Sequence, residues 1–229
     1  MEVIECKSVP HTDNANITFI RINPENLQNT LFQIIETLMD LSWLSSFDED
    51  YLKSSFKKRA EKTIADIKKK FDDCSDDKVS KEAGEYIVSE LARESLLNQM
   101  GYLHIPLAEL LGMKISGNPG FDFHSQNNIT NTVIFGEAKY NSRQSAHAAA
   151  VSQVSRFIAT GRDIDQLAEL RDFCTVEALN RANSGFKGFA IAFSSKSTSS
   201  DSLVDNVVNH QDFSEILPFE EIVIIAVNI

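Results

Sequence analysis

A chain of 229 residues with 42% hydrophobic and 24% charged residues has the ordinary composition of a soluble globular protein, with length enough to bury a sizeable core. Its formal charge of −11 argues against a free-standing nucleic-acid binder, because neutralising phosphates requires Lys and Arg in excess. Cys6, Cys74 and Cys174 stand far apart without CxxC spacing, and no two of the five histidines fall at i, i+4, so neither a disulfide framework nor a transition-metal cage is expected. No apolar run approaches the roughly 20 residues of a membrane span, and the opening "MEVIECKSVPHTDNA" has no basic segment followed by an apolar one, which predicts no membrane association and a cytoplasmic location.

In chain order, "ITFIRI" (17–22) alternates as a short strand does, and Asn23-Pro24 opens a predicted helix to about Leu44, with Leu27, Leu31, Ile34, Ile35, Leu38 and Leu41 on one face. In a second helix Leu52, Phe56, Ala60, Ile64, Ile67 and Phe71 make an apolar stripe. Its stretch from Lys53 to Lys70 carries eight basic residues against Glu61 and Asp66, a local excess of six positive charges. Such a face is either a solvated surface or one turned to a nucleic acid or a partner. The polar connector "DDCSDDKVS" follows, and a boundary is placed near residue 78. Residues 1–78 are thus a mainly helical N-terminal region with a short strand and a basic helix, and 79–229 are the second domain.

From Lys81 a helix runs to about Met100 and stops at Gly101. Three strands are predicted next: around Leu107 to Ile115, around Gly120 to His124, and from Thr132 to Tyr140, with "SQNNITN" as the turn before the third. "SRQSAHAAAVSQVSRFIATG" and "DIDQLAELRDFCTVEALNRANSG" read as helices closed by Gly161 and Gly185. Phe186 to Phe193 and Glu221 to Ile229 read as core strands, with "SSKSTSSDS" a loop too polar to order itself. This succession predicts an α/β fold, a mixed central sheet flanked by helices.

Chemistry concentrates at the end of the strand "TNTVIFGEAKY". Side chains two apart in a strand share a face, so Glu137 and Lys139 project in one direction about 6.6 Å apart. An isolated pair of this kind is ordinarily a solvated strand end. What sets this one apart is Asp122, in "NPGFD", which an antiparallel hairpin would bring beside Glu137. Two carboxylates converging on one point repel unless a cation lies between them, and hard oxygen donors suit Mg²⁺. On the helix starting at Lys81, Glu85 falls inside the apolar arc while Glu82, Glu90 and Glu94 fall outside it; Glu85 is therefore the one acid expected to face the sheet, either as part of a site or as a cap or partner of a core lysine.

The order Glu85, Asp122, Glu137 and Lys139, in "GEYIVSELARE", "PGFD" and "GEAKY", resembles the PD-(D/E)xK nuclease superfamily, with its Pro-Asp pair spread to "PGFD". More narrowly, it looks like the HamA/AbpA-type antiphage nuclease subunits of Hachiman-like systems. The resemblance covers about Lys81 to Ser194 and implies a restriction-endonuclease-like domain that hydrolyses phosphodiesters in DNA. It also implies that Asp122, Glu137 and the carbonyl of Ala138 hold Mg²⁺, or Mn²⁺ in its place. Lys139 would orient the attacking water and stabilise charge on phosphorus, and Glu85 would complete the shell or move a proton. A dedicated helicase is the implied partner. On the following helix Gln144 and His147 are further substrate-contact candidates, although a lone histidine on an apolar face is more often a core residue. Arg143 and Lys114 are possible phosphate contacts. A non-catalytic scaffold of the same fold and an RNase remain alternatives.

Overall fold

The computed structural model describes residues 1–12, 16–24, 26–75, 78–113, 120–196 and 198–229. Six strands form one mixed sheet: β1 (Glu2–Ser8), β2 (Ile17–Asn23), β3 (Phe123–Asn127), β4 (Thr132–Lys139), β5 (Gly188–Ser195) and β6 (Glu221–Asn228), in the order β1-β2-β6-β5-β4-β3. The four central strands β2, β6, β5 and β4 run parallel, and an antiparallel strand closes each edge. Strands covered on both faces read as continuous apolar runs, and β5 ("FAIAF") and β6 ("IVIIAV") do so. Through the β2–β6 ladder the N-terminal strands belong to the same sheet as the C-terminal ones.

One face of the sheet is covered by α3 (Lys81–Met100), over which α1 (Leu27–Met39) and α2 (Asp50–Asp72) pack. The other face carries α5 (His147–Ala159), α7 (Val176–Asn183) and α8 (Ser200–Val208). No helix among the described residues is long and apolar enough to cross a membrane. Ser80 caps α3 through its hydroxyl, which accepts from the Ala83 N–H, and Gly101 ends it in the left-handed conformation at φ 67°. Beyond that cap, the Tyr102 hydroxyl donates to Glu221 and the Asn127 amide donates to the same carboxylate at 3.1 Å, tying the end of α3 to the start of β6.

Several sequence expectations need correction. The first helix ends at Met39, and a 3₁₀ turn (Ser42–Ser46) occupies the rest of the span to Leu44. Residues 2–8, for which the sequence predicts no element, form β1. Its alternating exposed and half-buried positions are those of an edge strand. The strand expected around Leu107 to Ile115 is a short helix, α4 (Ala108–Leu111); Lys114 and Ile115 lie outside the described residues. The Ala108 N–H donates to the Asp122 carbonyl at 3.1 Å, so this helix turn starts from the hairpin and is not a neighbouring strand. Ser125 to Asn127 continue β3, which leaves a tight turn over 128–131 in place of the longer "SQNNITN" turn. The single helix read over 163–185 is divided into α6 (Arg162–Asp165), a turn-rich stretch and α7. The polar "SSKSTSSDS" segment is largely ordered, with β5 reaching Ser195 and Ser199 capping α8.

Glu90 is the most informative correction. The helical wheel sets it outside the sheet-facing arc, yet it is 0% exposed, closed in by Thr37 and Leu38 of α1, by Trp43 and by His104, Leu107 and Leu110. The cost of burying it is offset by Arg93, whose Nε donates to its carboxylate at 2.8 Å. Glu85 is therefore not the only acid that α3 takes inside.

Two glycines fix how closely α3 and β3 approach β4. A Cβ on Gly84 would fall inside the Tyr140 ring, and one on Gly136 inside the Phe123 ring. The aromatic ring in each case occupies the volume a side chain would need. Gly84→Ala is expected to lower stability by about 1–3 kcal/mol through overpacking, even though alanine favours helix over glycine by about 1 kcal/mol. The urea midpoint measures the net effect, and an unchanged or raised midpoint contradicts this account of α3.

Candidate metal and phosphate site

The register of the β3–β4 hairpin places the predicted residues. Phe123 pairs with Gly136, and just beyond the end of β3 the Asp122 N–H still donates to the Gly136 carbonyl at 2.8 Å. Asp122 thereby stands opposite Glu137 at the C-terminal end of β4. Its Oδ2 accepts from the Ala138 N–H at 2.7 Å, which fixes the carboxylate against the strand. Both acids are nearly closed off from solvent, at 2% exposure each.

Lys139 supplies the compensating charge. Its ammonium donates to Glu137 Oε1 and, at 3.3 Å, to the Ala138 carbonyl, with 18% of the side chain exposed. Burial alone would push the Lys139 pKa down. The Glu137 and Asp122 carboxylates override it, helped by the Glu137 hydrogen bond and more weakly by Glu85, so the pKa stands above the ordinary lysine value. Lys139 remains an ammonium throughout the physiological range.

Glu85 approaches from α3. Its side chain is 25% exposed, and Lys81 lies 3.9 Å away at the surface. With Asp122 it lines a cleft of about 180 Å³, whose wall also includes Glu82, Ser89, Glu109, Tyr86 and Lys70. The structure thus brings Asp122, Glu137, Ala138 and Lys139 together, with Glu85 at the margin.

The remaining candidates sit apart from this group. Arg143 and Gln144 are exposed on the loop after β4, where their backbone N–H groups donate to Asn141 Oδ1 at 2.9 and 3.3 Å. His147 begins α5 half-buried, with its ring 5.9 Å from that of Phe193, the residue paired with Lys139 across the β4–β5 ladder. Burial, and to a lesser degree His210, lowers its pKa, which favours the neutral ring. It stands one strand away from Lys139. Lys114 lies outside the described residues.

Sequence reasoning missed Glu82, Glu109, Tyr86 and Lys70 as walls of the cleft, and Asn141 as the organiser of the loop. Glu82 was within reach of it, since i, i+3 residues share a helix face with Glu85. Glu109 was hidden by the mistaken strand.

Among the described residues, no group of three or more His, Cys, Asp or Glu side chains is placed to hold a metal ion. What the hairpin offers is two carboxylates and one backbone carbonyl, all hard oxygens. Mg²⁺ takes donors of that class, and it commonly keeps several waters and needs few protein ligands. The Lys139 ammonium already rests on Glu137 and the Ala138 carbonyl, so these oxygens do attract a cation. In donor chemistry the set fits Mg²⁺ or Mn²⁺, without being a closed cage.

No protein-family model matches this chain, and no curated protein or solved structure is significantly similar to it.

Removing the ammonium from a buried carboxylate is costly. Lys139→Met is expected to lose about 3–5 kcal/mol of stability, and the double variant Glu137→Gln/Lys139→Met less than the sum of the two single ones. Urea denaturation of all four proteins gives the coupling; strict additivity would separate the two residues energetically.

Proposed function

We propose that this chain is a metal-dependent deoxyribonuclease that hydrolyses phosphodiester bonds, acting in the cytoplasm as the effector subunit of an antiphage defence complex with a helicase partner. The observation that carries the reading is the convergence of Asp122, Glu137 and the Ala138 carbonyl with the Lys139 ammonium at one end of β4. The helicase and the defence role rest on the resemblance of "GEYIVSELARE", "PGFD" and "GEAKY" to HamA/AbpA-type subunits.

In this reading Asp122, Glu137 and the Ala138 carbonyl would hold Mg²⁺ or Mn²⁺. The ion would supply Lewis acidity at the scissile phosphate and a lowered pKa for a bound water. Lys139, kept charged by its carboxylate neighbours, orients the attacking water and faces the negative charge that develops on the phosphoryl oxygens. A preformed charge in a water-poor position does this without reorganising during the reaction. The Ala138 N–H holds Asp122 in its orientation, and Glu85, partly open to solvent, relays a proton between the cleft and bulk water.

Asp122→Asn and Glu137→Gln are each expected to reduce Mg²⁺-dependent DNA cleavage by about 100-fold or more, with circular dichroism confirming the fold. Mg²⁺ at about 100 times its Kd should stabilise the wild-type chain by about 2.7 kcal/mol, and the two variants much less. Cleavage of RNA alone would assign an RNase. No cleavage of either nucleic acid, with no thermal shift in Mg²⁺ or Mn²⁺, would leave a non-catalytic scaffold.

A further inference from the structure

The basic helix α2 has a flank that the catalytic reading does not use. A cleft of about 550 Å³ runs along it, lined by Arg59, Lys62, Lys69 and Lys70, with Asp66 on the same helix and Tyr86 of α3 opposite. Lys70, Tyr86 and Glu109 line both this cleft and the smaller acidic one containing Glu85 and Asp122, so the two adjoin. The Lys70 ammonium stands 5.4 Å from the centre of the Tyr86 ring, at the junction between them.

The orientation of this flank is set by packing. Ala60, Ile64, Ile67 and Phe71 bury the opposite side of α2 against the core. Arg59 is anchored by stacking on Phe56, at 4.4 Å, and by donating to the Leu111 carbonyl at 3.2 Å. Lys69 faces Asp66 at 3.6 Å, but both side chains are mostly exposed, and such a pair contributes little that a stronger anion could not replace. Lys62 has no ion pair among the described residues. From Lys62 to Lys69 the helix rises about 10.5 Å, the axial length of about three nucleotides in one B-form strand.

We propose that this cleft is a phosphate-binding track through which a nucleic-acid strand enters the Glu85–Asp122 cleft. The inference rests on the nuclease reading of that cleft. Charge complementarity selects the occupant: a phosphodiester chain is a polyanion that a row of point cations and, on the nuclease reading, a metal held at Asp122 and Glu137 would accept in succession. An acidic peptide would meet Glu82, Glu85, Glu109 and Asp122 with carboxylates of its own, which are weaker ligands for a phosphate-spaced row.

The test uses the full chain in EDTA, so that binding is read without cleavage, with fluorescence anisotropy of labelled single-stranded and duplex DNA across a salt series. Lys62→Glu/Lys69→Glu should weaken binding tenfold or more and flatten the slope of log K against log salt by about 0.7–0.9 for each phosphate no longer neutralised. Lys57→Glu/Lys68→Glu makes the same change in net charge on another flank, about 100° or more around the helix, and should bind within twofold of wild type. Equal affinity for wild type and Lys62→Glu/Lys69→Glu, an equal weakening in the control, or no wild-type binding at low salt overturns the track. So does equally effective competition by polyglutamate. If the wild-type chain cleaves DNA in Mg²⁺ while Lys62→Glu/Lys69→Glu binds normally, the track fails and the nuclease reading stands. If Lys62→Glu/Lys69→Glu weakens binding as expected but the wild-type chain cleaves nothing, the track stands and the nuclease reading fails.

Discussion

Two buried carboxylates side by side are the constraint around which this end of the molecule is built. Asp122 and Glu137 stand opposite each other just beyond the last pair of the β3–β4 hairpin, each 2% exposed. Ionised acids leave water at a cost of several kcal/mol unless they are paired or hydrogen-bonded. The chain offsets that cost with one backbone donor, the Ala138 N–H, and one cation, the Lys139 ammonium. Both come from the two residues that follow Glu137 in β4. Strand geometry therefore forces the acid, its hydrogen-bond donor and its counter-charge into one place, and a shift of register by one residue would turn Glu137 and Lys139 to the opposite face.

Precision at this position comes from two rings seated on two glycines. Tyr140 follows Lys139 and lies on Gly84, the residue before Glu85; Phe123 follows Asp122 and lies on Gly136, the residue before Glu137. Each contact adjoins a charged residue on both of its partners. The apolar packing that holds α3 and β3 to β4 is thus the same packing that sets the distances among the charges. A ring stacked directly on backbone has few ways to relax, so polar geometry is inherited from apolar geometry.

This division explains what could be read from the sequence. Period-two alternation and the turn residues between the two strands suffice to predict a hairpin that brings Asp122 toward Glu137, because pairing in a hairpin is local, but the register itself is set by Ser125 to Asn127, which read as turn and pair with β4 instead. The continuous apolar runs of β5 and β6, the 81–100 helix and its Gly101 cap are legible for the same reason. Glu90 is not, since it is closed in by the end of α1, by Trp43 and by the 104–110 segment, neighbours that the wheel of α3 alone does not contain. The "PLAELLGM" segment is ambiguous in itself: a short apolar run suits a buried strand or a helix turn, and the hydrogen bond from Ala108 to the Asp122 carbonyl decides it. The edge strand β1 escapes detection because Glu5 and Lys7 take two of its half-buried positions while Ile4 and Cys6 are exposed, so no apolar face alternates in the sequence; inward-pointing charges of this kind are one way an edge avoids pairing with other chains.

Net charge is the sequence property that says least about this surface. The formal charge of −11 belongs to the whole chain, whereas an ion approaching from water feels mainly the charges within about 8 Å at physiological ionic strength. The α2 cleft presents Arg59, Lys62, Lys69 and Lys70 to such an ion, while the adjoining cleft presents Glu82, Glu85, Glu109 and Asp122. Opposite potentials thus adjoin in two neighbouring clefts, and the total cancels information that the arrangement retains. An acidic protein of this design repels polyanions at long range in low salt, and on the proposed reading would accept them at short range along the basic cleft. The sign of its charge bears on encounter rates more than on where a ligand settles.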